Sequence, residues 1–197
     1  MIQLDRWLQD VFNVPLVIMM TDDEKYIFAK KPHSIADMHK FVLANAKDIL
    51  AVGFDLKKTF LFSDFKFMGG AFYENVVKVG RSITLNQTKA VFGFNDSDSV
   101  SKAHFVSIQT ATAFATTFPH IFGTNEKQVA KIPALIPCAI DQDPYFRVAR
   151  DVAPRLGYAK PALLHAMFFP ALQGPGSKMS ASIDSSAIFM ADTPKQM

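Results

Sequence analysis

A single cysteine, Cys138, in 197 residues excludes an intramolecular disulfide and fits a reducing compartment. No apolar run reaches the ~18 residues of a membrane span, and the N-terminal positions carry no leader-like order of charged, apolar and small residues. The expectation is a soluble cytoplasmic domain. Glycine is scarce, with nine residues, and neither G-x-x-x-x-G-K-[ST] nor G-x-G-x-x-G occurs, so Walker-type and dinucleotide-binding loops are excluded. The five histidines (His33, His39, His104, His120, His165) are scattered, no Cys/His set has metal-ligand spacing, and no G-x-S-x-G elbow exists. Thiol, serine-nucleophile and zinc chemistry therefore lack their residues. Neither sign of charge dominates: 21 basic and 18 acidic side chains leave a net charge of +3, too little to argue nucleic-acid binding by itself.

The 49 % apolar and 20 % charged content suits a soluble globular protein, and 197 residues suffice for one domain with a real core. Nineteen phenylalanines against four tyrosines and one tryptophan make that core phenylalanine-heavy. Leu4, Trp7, Leu8 and Val11 fall at helical spacing and predict a buried first helix, ended by Asn13-Val14-Pro15. Leu16 to Met20 is a short continuous apolar run, the pattern of a strand buried on both faces and hence parallel. Ser34, with Asp37 in the first turn, caps a helix that Gly53 ends, and Thr59 to Phe62 is the next strand. Residues 69–92 read as one or two helices, and His104 to Thr117 as a helix of small residues suited to close packing. Ile132 to Ile140 is a third strand. Asp143 before Pro144 then predicts a carboxylate cap with proline at the first helical position, and Pro154 a kink further on. Ala162 to Phe169 is a fourth strand, with His165 as a hydrogen-bonded core residue. Strands alternating with helices define the α/β class, a parallel sheet with right-handed crossovers. The last residues, Asp192-Thr193-Pro194, read as the start of a further helix, so the chain is expected to be a truncated one.

Three stretches at strand exits carry the polar chemistry: Thr21-Asp22-Asp23-Glu24-Lys25, Asp141-Gln142-Asp143, and the run Gly174-Pro175-Gly176-Ser177-Lys178-Met179-Ser180-Ala181-Ser182. Open α/β sheets place their ligand groups at the carboxyl ends of strands. A lysine on a mobile glycine- and serine-rich loop is a point charge able to neutralise phosphate as charge develops.

Together these stretches resemble the tryptophanyl-tRNA synthetases of the eukaryotic and archaeal type. Lys178-Met179-Ser180-Ala181-Ser182 has the form of the KMSKS signature of class I aminoacyl-tRNA synthetases. Ala139-Ile140-Asp141-Gln142-Asp143-Pro144-Tyr145-Phe146-Arg147 is the most diagnostic segment. Trp7-Leu8-Gln9-Asp10 with Pro15-Leu16-Val17-Ile18, and Phe168-Phe169-Pro170-Ala171-Leu172-Gln173-Gly174, extend the match along nearly the whole chain. The resemblance implies a Rossmann-like catalytic domain that activates tryptophan with Mg-ATP and transfers it to tRNA(Trp), in a cytoplasmic homodimer. The substrate carboxylate is then the nucleophile, which agrees with a chain lacking a nucleophilic constellation. Carried over residue by residue, the resemblance puts Lys178 and Ser180 in catalytic roles, and Lys178, Met179, Ser180 and Gln142 against ATP. It puts Glu24, Gln109, Gln142, Ile136 and Cys138 around tryptophan. Magnesium would arrive with ATP, and no resident metal is implied. A polar pocket fits the task, because rejecting phenylalanine and tyrosine requires a partner for the indole N–H.

The sequence departs from that pattern twice. No His-x-Gly-His stands in it, and position 19 is Met where the family usually has Gln. Residues 1–197 are therefore expected to be part of one Rossmann-like domain. The His-x-Gly-His segment would precede it and a helical anticodon-binding domain would follow. The chain alone is expected to be inactive. Met19 raises the alternative of a synthetase-derived binding module. A tyrosine enzyme is a third reading, against which Asp141-Gln142-Asp143-Pro144 argues.

Overall fold

The computed structural model describes residues 2–29, 33–167 and 170–178, together with 188, 192, 193 and 195; of residues 175–178 it describes the backbone. Of the helix start expected at Asp192-Thr193-Pro194, Pro194 lies outside the described residues. Helix α1 (Ile2–Phe12) leads into strand β1 (Leu16–Met20), and α2 (Asp22–Phe28) and α3 (Ile35–Ala51) precede β2 (Thr59–Ser63). Six helices follow: α4 (Asp64–Phe67), α5 (Gly70–Ser82), α6 (Leu85–Phe92), α7 (Val100–Ala111), α8 (Pro119–Phe122) and α9 (Glu126–Val129). Then β3 (Leu135–Ala139), α10 (Asp143–Leu156) and β4 (Ala162–Ala166) complete the α/β alternation, and β5 (Pro170–Ala171) and β6 (Gly174–Lys178) close it.

β1 and β2 run parallel, from Leu16 opposite Thr59 to Met20 opposite Ser63. β3 and β4 run parallel as well, from Leu135 opposite Ala162 to Ala139 opposite Ala166. Among the described residues these are two separate pairs rather than one continuous sheet. The strands are shorter than the apolar runs: Pro133 lies ahead of β3, and β4 stops at Ala166. The glycine-punctuated run before Lys178 is a strand rather than a free loop. β6 pairs antiparallel with β5, with Lys178 opposite Pro170.

Phenylalanine dominates the core as its abundance requires. Phe62, Phe72, Phe105, Phe114, Phe118 and Phe146 are buried with Val76, Val79, Val106 and Val152. Phe62 lies with its ring centroid 5.9 Å from that of Phe72 and 5.7 Å from that of Phe118. Val17 and Met19, two positions apart and hence on one face of β1, pack against this core. The small residues of α7 do bring helices close: Ser107, Thr110 and Ala111 are buried, and a Cβ on Gly80 of α5 would lie 3.2 Å from Ser107 Oγ. This helix ends at Ala111, and Ala115–Thr117 form a separate 3-10 turn, so the single helix expected over 104–117 is two elements.

Two further expectations are corrected. The first helix is only half buried: Trp7 and Val11 are exposed, and its most deeply buried side chain is the polar Gln9. Gln9 Nε2 donates to Thr59 Oγ1 at 2.9 Å, and its Oε1 accepts from Asp55 N at 3.0 Å. Asp143 is the first residue of α10 rather than its cap, and no side chain caps that helix, because the Asp143 carboxylate is taken by Arg147 and His165. Ser34 caps α3 as expected, and Asp37 reaches back to complete a capping box. α10 continues through Pro154 to Leu156, where Gly157 at φ 71° supplies the left-handed stop.

Candidate functional site

The carboxyl ends of the four parallel strands carry polar residues or lead into them. β1 is followed by Thr21 and the acidic first turn of α2, Asp22, Asp23 and Glu24. β2 ends at Ser63 and passes directly into Asp64. β3 ends at Ala139, followed by a 3-10 turn, Ile140–Gln142, and α10. β4 carries His165 at its penultimate position.

Three carboxylates converge at the β1 and β2 exits. Asp22, Asp23 and Asp64 are all buried, with one ligand-type oxygen from each within 4.8 Å of the others, a spacing that could hold a cation. Asp22 is held by Ser63 Oγ and by the backbone N–H of Phe65, and Asp23 Oδ1 accepts from the Glu24 N–H at 2.7 Å. As carboxylates, Asp23 Oδ2 and both Asp64 oxygens would have no donor. A proton on Asp64 donated to Asp23 supplies one. Burial, that hydrogen bond and the charges of Asp23, Asp22 and Glu24 push the Asp64 pKa up to about 10. Burial raises that of Asp23 too. The sequence contained this cluster as the Thr21-to-Lys25 run and as Ser63-Asp64. Only the parallel register, which sets Met20 opposite Ser63, brings the two together.

Glu24 is half-buried and accepts from Thr21 Oγ1 at 2.8 Å. Its negative charge, after the larger effect of burial, raises the pKa of the Tyr145 hydroxyl. Tyr145 also packs against Phe92 and Phe105, and its backbone carbonyl accepts from Thr110 Oγ1, the neighbour of Gln109. Tyr145 thus ties the first turn of α10 to α7, the helix that bears Gln109. Gln109 and Gln142 are each half-buried. Ile136 and Cys138, two positions apart on one face of β3, join the same core. Burial, then the charges of Asp143 and Asp141, push the Cys138 thiol pKa up, which disfavours the nucleophilic thiolate.

Asp143 joins the β3 and β4 exits. One oxygen lies 2.9 Å from His165 Nε2 and the other pairs with Arg147 Nε. His165 thus has a carboxylate neighbour, but its side chain is 39 % exposed rather than within the core as expected. The Lys178 backbone lies on β6, while Met179 and Ser180 fall outside the described residues. Position after a strand marks the stretches Thr21 to Lys25 and Asp141-Gln142, and the resemblance singles out Glu24 and Gln142 within them. Asp64, Tyr145 and the Asp143 bridge were missed, the bridge because its histidine lies 22 positions further along the chain.

Parallel strand pairs with helical crossovers, and with acids and amides concentrated at the strand ends, define an α/β ligand-binding domain of the nucleotide-fold type. The sequence places it within that class. The chain belongs to the family of tRNA synthetases class I (W and Y), which matches residues 29–197. It is 62 % identical over 192 residues to the cytoplasmic tryptophan–tRNA ligase of Schizosaccharomyces pombe, covering 98 % of this chain and 47 % of the relative. It is 57 % identical over 194 residues to the cytoplasmic tryptophan–tRNA ligase of Homo sapiens, covering 98 % and 40 %. The crystal structure of a tryptophanyl-tRNA synthetase from Encephalitozoon cuniculi bound to tryptophan superposes with a TM-score of 0.85 at 34 % identity, over 99 % of this chain and 52 % of that one. The chain spans about half the length of the relatives it matches.

Proposed function

We infer that this chain is part of the catalytic domain of a tryptophan–tRNA ligase, which forms tryptophanyl-adenylate from tryptophan and Mg-ATP and passes the tryptophanyl group to tRNA(Trp). The observation that carries the reading is that the chain is more than half identical to curated ligases for tryptophan, with polar residues, Asp22 to Glu24 and Asp141 to Asp143, standing directly after its parallel strands β1 and β3. In this reading Glu24, Gln109 and Gln142 give a buried amino acid its polar partners, while Ile136 and Cys138 bound the indole. Lys178, with Met179 and Ser180, meets the triphosphate and stabilises charge on the departing pyrophosphate. Gln142 sits between the amino-acid and nucleotide sides. The parent protein works in the cytoplasm as a homodimer.

The reaction needs no protein nucleophile; positioning and charge stabilisation carry it. No His-x-Gly-His stands within the 197 residues, so one side of the ATP site must come from elsewhere in the parent protein. Tryptophan-dependent pyrophosphate exchange tests the reading. The full-length protein containing this chain exchanges, and Lys178→Ala in it lowers kcat by about 10²–10³-fold. The 197-residue chain alone does not exchange. A full-length protein that fails to exchange with tryptophan overturns the assignment.

A further inference from the structure

The exits of β1 and β2 bury more negative charge than their surroundings offset. Asp22, Asp23 and Asp64 are 4 %, 4 % and 1 % exposed, and one oxygen from each lies within 4.8 Å of the others. Among the described residues, the ion pairs made by lysine, arginine and histidine all go to other acids. Asp22 takes the Ser63 hydroxyl and the Phe65 N–H, and Asp23 Oδ1 takes the Glu24 N–H. Asp23 Oδ2 and both oxygens of Asp64 are buried with no donor. A proton shared between Asp64 and Asp23 serves one oxygen of each. The second Asp64 oxygen is then still without a donor. Three carboxylates with one proton also leave two negative charges in the interior, with no basic partner among the described residues.

We propose that Asp22, Asp23 and Asp64 hold an oxygen-preferring divalent cation, resident in the protein rather than carried in by a nucleotide. The observation that carries this is Asp64. It is the most deeply buried of the three, and a buried carboxylate with neither oxygen paired is the arrangement that a bound cation completes. An all-carboxylate set selects calcium, magnesium or manganese over zinc or copper. Two oxygens bound to one ion at about 2.4 Å lie at most about 4.8 Å apart, so the present spacing falls within the reach of an ion the size of calcium. The unpaired oxygens of Asp64 and Asp23 are the direct ligands, and Ser63 and the Phe65 N–H hold Asp22 in orientation. The ion ties the first turn of α2, where Glu24 follows Asp23, to Asp64 at the end of β2. Without it, the shared proton is what remains to offset the charge.

For the test, the full-length protein containing this chain is stripped with EDTA and kept free of ATP, so that no substrate carries a metal in. Equilibrium dialysis with Ca²⁺, Mg²⁺ and Mn²⁺ as separate probes finds at least one of the three bound at one ion per chain, with Kd below about 1 mM. Asp64→Asn, which keeps the side-chain volume and gives up the charge, weakens that binding at least tenfold, as does Asp23→Asn. Asp151→Asn, the same change at an exposed position of α10, leaves it unaltered. In thermal melts the same ion raises the wild-type midpoint and EDTA reverses the rise, while the Asp64→Asn midpoint responds to neither. A folded wild-type protein that binds none of the three ions, or binding that survives Asp64→Asn, overturns the proposal. Either result leaves the ligase reading untouched, because the binding requires neither tryptophan nor pyrophosphate exchange.

Discussion

Asp143 Oδ1 lies 2.9 Å from His165 Nε2, joining the first turn of α10 to the end of β4 immediately beside Gln142. Asp143 is 7 % exposed and its other oxygen pairs with Arg147, so one buried carboxylate fixes the exits of two strands. Asp143→Ala removes both partners and costs about 1–3 kcal/mol in denaturant unfolding. His165→Asn costs less, because that side chain is partly solvated. Removing the Asp143 charge also lowers the Cys138 pKa. Burial is the larger cause, so native-state alkylation of Cys138 in Asp143→Asn stays slower than in the unfolded chain.

The Asp23–Asp64 pair sets a pH dependence of stability. The folded-state pKa of Asp64, about 10, lies above its ordinary value of 3.8, so between these two the folded chain binds the extra proton. Its contribution is fully present below about pH 4 and is lost progressively as pH rises towards about 10. Asp64→Asn keeps a donor for Asp23 and removes the titration. Chemical denaturation from pH 5 to 9 should show a flatter profile for the variant, with stability at pH 8 higher than wild type by on the order of 2 kcal/mol. Parallel profiles for the two proteins would contradict the shared proton.

A second polar network holds the helical layer together. Tyr158 Oη donates to Asn75 Oδ1 at 2.9 Å, while Asn75 Nδ2 donates to Thr116 Oγ1 at 2.8 Å and Thr117 Oγ1 at 2.9 Å. Asn75 is 1 % exposed, so losing partners leaves uncompensated polar groups. Asn75→Ala costs about 2–4 kcal/mol and Tyr158→Phe about 1–2 kcal/mol. A double-mutant cycle between them gives a coupling of at least about 0.5 kcal/mol.

The Gly80 approach to α7 predicts a steric response. An added Cβ lies 3.2 Å from Ser107 Oγ, and Ser107 is buried. Gly80→Val destabilises by about 2 kcal/mol or more in thermal melts, and adding Ser107→Gly restores part of the loss.

The sequence revealed what depends on local order. Leu16 to Met20 is the strand its unbroken apolar run announced, and Ser34 is the helix cap its residue type implied. The stretches holding Glu24 and Gln142 stand out because acids and amides directly after a strand lie where open α/β sheets bind ligands, while the two residues themselves were singled out by the resemblance. What escaped was decided by partners distant in sequence. Asp143 reads as a cap until His165 claims its carboxylate. Trp7 and Val11 read as core until Gln9, reaching Thr59, settles which side of α1 is buried. The run before Lys178 reads as a flexible loop because glycine and serine disfavour strands, yet pairing with Pro170 and Ala171 overrides that preference.

Gln9 has a further consequence, one of timing. Its two partners, Thr59 and Asp55, lie 50 and 46 positions along the chain, and Arg6 Nη1 donates to the carbonyl of Val52, also 46 positions away. Helix α1 can coil as soon as it is made, but its buried amide has nothing to hold until the start of β2 exists. On a ribosome the first helix must therefore wait, with Gln9 solvated, for about 50 more residues to emerge. Its docking closes a long loop and belongs to the later, slower part of folding.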